Sequence, residues 1–205
     1  MLIFGLVACG GTTAAPPPAN QGSATAPAED TWEVPTGWRS ETIPFPLDFA
    51  PALGHHGLEE LRFPPGFFKV GQHDYWSYAF VWRLTDPAEL DGAAMGTELT
   101  TYFRGLIAAV DDKHQVTAPD ETTVTGIDVA HTVTSAKEIE LALRAHVFDG
   151  FNTGAPVDLE GTAKRVLCPD GGALWTFALA PSGSDTRATV EALAGKARCG
   201  QHALF

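Results

Sequence analysis

The sequence predicts an α+β domain: a mainly antiparallel, twisted sheet of about seven strands with two packed helices, in the order β-β-β-α-β-β-β-β-α. Three observations lead there. Tyr75–Leu84 alternates with Trp76, Tyr78, Phe80, Trp82 and Leu84 on one side and mostly small residues on the other, the period of two that a strand shows. Leu99, Tyr102, Phe103, Leu106, Ile107 and Val110 recur at helical spacing and make one apolar stripe. Beyond Thr122 the alternation returns in four successive segments divided by turn residues, so strands flank the helix on both sides. A partly closed barrel with helices is the alternative architecture.

Taken in order, Trp38–Phe45 is the first strand, ended by Pro44 and Pro46 because each proline removes a ladder donor. Leu58–Phe63 is the second, stopped by Pro64-Pro65-Gly66. Tyr75–Leu84 is a central strand whose large face enters the core and whose small face admits a closely packed helix or layer. Asp86-Pro87-Ala88-Glu89 has the capping-box arrangement and predicts a helical turn, with the main helical stripe starting after Gly92 and ending at Asp111-Asp112-Lys113-His114. The later strands are expected at roughly Thr123–Val133, Lys137–Phe148, Pro156–Cys168 and Ala173–Ala180. In the second of these Ile139, Leu141, Leu143, Ala145 and Val147 make an apolar face, and Glu138, Glu140, Arg144 and His146 lie opposite, in water or in a polar cleft. Pro169-Asp170-Gly171-Gly172 is a hairpin turn. Thr186–Arg198 is the closing helix, with Asp185 as its candidate cap and Val190, Leu193, Ala194 and Ala197 on one side. This layout resembles the PsbP-like fold, a likeness of element order that carries no function.

The N-terminus supplies an address. Leu6-Val7-Ala8-Cys9 followed by Gly10 reads as a lipobox, in which Cys9 becomes the acylated N-terminus. Residues 1–9 are then the lipoprotein signal peptide, short in its apolar region and without Lys or Arg, so the true start is expected further upstream. Residues 10–31, rich in Pro, Ala, Gly and Thr, are a flexible tether, and residues 32–205 are a single globular domain. The expected partner on this side is the membrane, reached through the lipid anchor, with the domain facing the periplasm or exterior of a bacterial envelope.

Charge and cysteines narrow the rest. The chain carries 13 basic and 25 acidic residues, a formal net charge of −12 that repels phosphate backbones and argues against nucleic acid as a partner. With Cys9 assigned to the lipid, Cys168 and Cys199 remain as an even pair suited to a disulfide in an oxidising compartment, two buried thiols being the alternative.

The blocks ETIPFPLDFAP (Glu41–Pro51), GLEELRFPPG (Gly57–Gly66) and YWSYAFVW (Tyr75–Trp82) resemble a family of uncharacterised bacterial envelope lipoproteins, over about residues 38–112. The resemblance implies fold integrity and envelope localisation and transfers no catalytic residue.

Two groups of residues merit a chemical test. His55, His56 and His73, with Asp74, Glu59 and Glu60 near in sequence, are the residues closest to a metal set, although adjacent histidines in an extended segment point to opposite sides and a solvated polar loop explains them as well. Glu140, Arg144 and His146 on one strand face, with Asp128 and His131 on the preceding strand, could place a carboxylate beside a histidine for proton transfer, but no nucleophile accompanies them and cross-strand charge pairing is the simpler account. No G-x-S-x-G, H-E-x-x-H, C-x-x-C, Walker or G-x-G-x-x-G pattern occurs. Trp32 and Phe67-Phe68 fall at the tether exit and in a loop, where exposed aromatics could serve a binding surface.

The expected function is therefore that of a membrane-anchored envelope lipoprotein whose domain is a non-enzymatic binding or structural module, without cofactor, acting on an unknown protein or small ligand. A hydrolase or metal-dependent enzyme using the histidines is one alternative. A carrier of a small apolar ligand held between sheet and helices is the other.

Overall fold

Seven strands form one open antiparallel sheet in the computed structural model, which describes residues 32–111, 116, 119–129 and 138–200. They are β1 (Arg39–Phe45), β2 (Gly57–Phe63), β3 (Tyr78–Leu84), β4 (Thr123–Asp128), β5 (Glu138–Phe148), β6 (Pro156–Leu167) and β7 (Ala173–Pro181), and their spatial order is β1-β2-β3-β7-β6-β5-β4. Two meanders, β1 to β3 and β4 to β7, meet where β3 pairs with β7. Helix α1 (Gly92–Val110) carries the chain from β3 to the far edge strand β4, and α2 (Arg187–Ala194) follows β7. The α+β class and the element order are as the sequence predicts. The barrel alternative is overturned: β1 and β4 stand at opposite edges of an open sheet.

Alternation divides the sheet into two unlike faces. Toward α1 point Tyr78, Phe80 and Trp82 from β3, Trp175 and Phe177 from β7, and Leu141, Leu143 and Val147 from β5. Phe80 and Phe177, cross-strand partners, stack with centroids 4.3 Å apart, and Tyr102 of α1 lies parallel to Phe80 at 5.8 Å. Each such side chain, fully buried, stabilises the fold by roughly 1.5–3 kcal/mol. Toward α2 point Ala79, Val81, Leu174 and Ala178, which form a second small core with Val190, Leu193, Ala194 and Ala197. The helix expected against the small face of β3 is thus α2.

Helix α1 buries Leu99, Tyr102, Phe103 and Ile107 of the predicted stripe, leaves Leu106 and Val110 partly exposed, and adds Met95. Its N-cap is Asp91, whose carboxylate accepts from the Ala94 N–H at 2.8 Å. Gly96 lies against β4 so closely that a Cβ there would sit 2.8 Å from the Val124 carbonyl oxygen, and one on Gly126 would meet the Gly92 oxygen at 2.3 Å. Helix and edge strand therefore meet backbone to backbone.

Several local expectations are corrected. The Asp86–Glu89 pattern does not open a helix: Asp86 accepts from the Ala88 N–H at 2.9 Å, and Ala88 has φ 39°. The carbonyls such a helix would use are taken by the sheet, since Trp175 Nε1 donates to Ala88 O at 3.2 Å and Arg165 to Pro87 O at 3.4 Å. β3 begins at Tyr78, because Trp76 adopts a left-handed φ of 56°. α2 stops at Ala194, and its N-cap position is Thr186, not Asp185. Trp32 and Phe67 are 3% and 2% exposed, so neither serves as a surface aromatic, while Phe68 is partly buried against the main core.

The start of the described chain is fastened to α2. Trp32 Nε1 donates to the Leu193 carbonyl at 2.9 Å, and the Arg62 guanidinium lies 4.4 Å over the indole while donating to the Trp32 and Glu33 carbonyls. Lys196 pairs with Glu33 at 2.7 Å. Cys168, just after β6, is disulfide-bonded to Cys199 with Cα atoms 5.6 Å apart. Closing a loop of 31 residues, the bridge is worth about 3.5–4 kcal/mol in the chain-entropy account. Cys9 and His131 lie outside the described residues.

Candidate functional site

The strand-face group is split by the sheet. Asp128 stands opposite Leu141 on the α1 face and accepts from the Gly92 N–H at 3.0 Å, helping to seat the helix start. Glu140, Arg144 and His146 lie on the other face, where α2 reaches as far as β6: Arg187 is 3.6 Å from Glu160, and Glu140 and Lys164 line a small cleft with Glu191 and Ala194. There each stands beside a complementary residue of β6: His146 Nδ1 is 2.6 Å from Asp158, Glu140 is 3.2 Å from Lys164, and Arg144 is in register with Glu160. The first two are cross-strand charge pairs at the surface, each contributing a few tenths of a kcal/mol up to about 1 kcal/mol, while Glu160 pairs with Arg187 of α2. What they can do chemically is keep a broad sheet face wet and in register.

The histidines are dispersed. His55, from the turn before β2, is gripped by carboxylates at both nitrogens, with Glu98 of α1 at 2.8 Å and Asp86 at 3.7 Å. The Glu98 hydrogen bond lifts its pKa above the ordinary histidine value against the opposing effect of burial, aided by the nearby charges of Glu98 and Asp86. His56 contributes a backbone carbonyl to Thr85, and His73 sits in another loop, 3.8 Å from Asp74. Among the described residues no three His, Cys, Asp or Glu side chains converge as a metal set.

Glu59 and Glu60 are adjacent on β2 and so face opposite sides. Glu60 bonds Arg83 at 2.6 Å and Arg62 at 3.3 Å. Glu59 is wholly buried in the aromatic layer, where Trp82 Nε1 donates to its Oε1 at 3.0 Å and its Oε2 has no partner. Burial raises this carboxyl to about 7, although the Trp82 hydrogen bond and the neighbouring Tyr102 hydroxyl pull the other way. No cleft described in this structure reaches it, so it is a core proton site and not a solvent-facing acid.

The convergent surface feature is a cleft of about 360 Å³ between the Pro64–Ser77 connection and the start of α2. Trp38, Pro64 and Pro65 give it an apolar wall; Lys69, Gln72, His73 and Asp74 give it a polar one; Thr186 and Thr189 face in from α2. The connection is closed on itself by backbone hydrogen bonds. Backbone bonds Phe67 N to Pro64 O, Lys69 N to Gly66 O, Gln72 N to Lys69 O and Tyr75 N to Gln72 O fold it into consecutive turns. Inside, Phe67 and Trp76 pack on Phe151, and the Tyr75 hydroxyl donates to Asp149. Asp149 also accepts from the Asn152 and Thr153 amides; burial opposes its ionisation, but the Tyr75 and Thr153 bonds outweigh that and hold the carboxyl below its usual range. Asp74 is 6% exposed and accepts from Gly66 N at 3.0 Å, and a Cβ at residue 66 would lie 1.7 Å from its other oxygen, so only glycine fits there.

Sequence reasoning placed His73 and Asp74 with the metal candidates and missed the cleft. The available signal was Pro64-Pro65-Gly66, a stop before a loop long enough to fold on itself, followed by polar residues between buried aromatics. Compared with known protein families, with curated proteins and with solved structures, the chain matches none.

Proposed function

We propose that this chain is a lipid-anchored protein of the bacterial envelope, held through Cys9 and residues 10–31, whose domain is a non-enzymatic binding module. The observation that carries the binding reading is the preorganised cleft beside Trp38, which gathers apolar and polar walls on a connection closed by backbone hydrogen bonds, without the ordering cost of a mobile loop. The polar strand face supports it from the other side, because His146 and Glu140 are engaged by Asp158 and Lys164 in ordinary pairs. A carrier holding an apolar ligand between sheet and α1 has less support, since Phe80, Trp82, Tyr102 and Phe103 occupy that layer.

The anchoring half is tested by fractionation. With the full native start in place, Cys9→Ser is expected to move the protein from the membrane fraction to the soluble one, and unchanged membrane association would overturn it. Among the described residues no helix is long and apolar enough to cross a membrane.

A further inference from the structure

We infer that the cleft beside Trp38 takes a neutral, hydroxyl-rich ring: a mono- or disaccharide. This rests on the reading of the domain as a binding module and names its ligand class. The walls select that class by exclusion as well as by fit. An anion would meet the Asp74 carboxylate, which is buried and hydrogen-bonded to the Gly66 N–H. A cation would meet Lys69 on the same wall. A neutral polyol meets no like charge, donates hydroxyls to Asp74 and accepts from Lys69 and Gln72, whose side chains make no hydrogen bond or ion pair with the described residues.

The apolar part of the lining fits the remainder of such a ring. A sugar presents a flat array of C–H groups carrying slight positive charge, and these pack on the negative face of an indole such as Trp38 and on the pyrrolidines of Pro64 and Pro65. The volume of about 360 Å³ lies at the small end of the range for ligand pockets, about 300–1,000 Å³, which favours one or two rings over a longer glycan. Because successive turns fix the connection, the backbone at Lys69, Gln72 and Asp74 is set before binding, and the freedom lost is confined to the Lys69 and Gln72 side chains.

The test uses the purified full-length protein, saturation-transfer NMR and tryptophan fluorescence, with glucose, N-acetylglucosamine, maltose and lactose as probes beside sodium sulfate and spermidine. At least one sugar is expected to bind saturably. Lys69→Ala and Gln72→Ala, both on the exposed side of the connection, are each expected to weaken it about three- to tenfold with an unchanged melting temperature. Trp38→Ala is expected to weaken it further, about tenfold or more. Sulfate or spermidine binding in place of sugar would overturn the ligand class. Sugar binding that ignores both exposed variants would put the site elsewhere and overturn the assignment to this cleft. Silence from every sugar would overturn the inference, while release of the protein by Cys9→Ser would leave the tethered-module reading standing.

Discussion

On the α1 face of the sheet Phe80, Trp82, Trp175 and Phe177 make a continuous aromatic layer, whereas on the α2 face their alternating neighbours are Ala79, Val81, Leu174 and Ala178. The same strands thus stabilise the fold in two ways. One face gains by volume, filling a thick layer under a long helix. The other gains by proximity, letting a short helix settle close to the backbone. Their polar residues differ to match: Glu59 is buried among rings with one oxygen unpaired, and its neighbour Glu60, one residue on and therefore on the other face, is bound by Arg62 and Arg83. A strand of alternating character does not simply have an inside and an outside; here it has two insides with different rules.

The largest expected effects sharpen that contrast. Phe177→Ala opens a cavity in the thick layer and is expected to cost about 3–5 kcal/mol in urea denaturation. Ala178→Leu, next to it, fails in the opposite way, overpacking the contact with α2 at a cost of about 1–3 kcal/mol. If Ala178→Leu proved neutral, the α2 face would not be close-packed and the contrast would fail.

A pH series probes the polar half of it. The folded Glu59 keeps its proton up to about 7, whereas in the unfolded chain it releases it near 4.5. Between those values the native state binds more protons, so stability falls as pH rises through that window and levels off above it. His55 acts in the same direction: its folded pKa is raised above 6.5, so the stabilisation from Glu98 is full below that value and is lost as pH rises through the folded one. Glu59→Gln is expected to remove most of a slope amounting to about 3 kcal/mol, leaving the His55 part. Denaturation midpoints at pH 5 and 8 that differ equally in wild type and Glu59→Gln would sink this account.

The smallest effect concerns the open face. His146→Ala removes a half-exposed pair with Asp158 and is expected to change stability by no more than about 0.5 kcal/mol, with the fold intact by circular dichroism. A loss above 2 kcal/mol would mean that this face is covered by something the charge pairs only hint at.

Much of the fold was legible because alternation reports it directly. β3, β5 and the α1 stripe follow from spacing alone, and the pairing of Cys168 with Cys199 is expected once Cys9 is assigned to a lipid. The misses share a cause: a local signal lost to a distant partner. Asp86–Glu89 has the residues of a helix start, but the Trp175 indole and Arg165 claim its carbonyls from strands far along the chain. Trp32 looks like a loose aromatic until Arg62 and Leu193 close over it. Of the candidate site residues, spacing correctly put Glu140, Arg144 and His146 on one face, yet it could not show that Asp128 faces the other way or that His55 belongs to Glu98. The cleft was invisible for the same reason, since Thr186, Thr189 and Val190 close it from a helix more than a hundred residues along the chain from residues 38–74.

The fastening at Trp32 has a mechanical meaning. Were the domain anchored through Cys9 as proposed, tension along residues 10–31 would meet an indole clamped under Arg62 and bonded to α2, with Glu33 held by Lys196 one step on. Just past α2 the chain is bolted through Cys199 to Cys168 at the end of β6. Such a pull would be shared between β2 and α2 before it could begin to peel the edge strand β1. The domain behaves as a load tied off at a cleat, and the cleft beside Trp38 sits a few residues downstream of the knot.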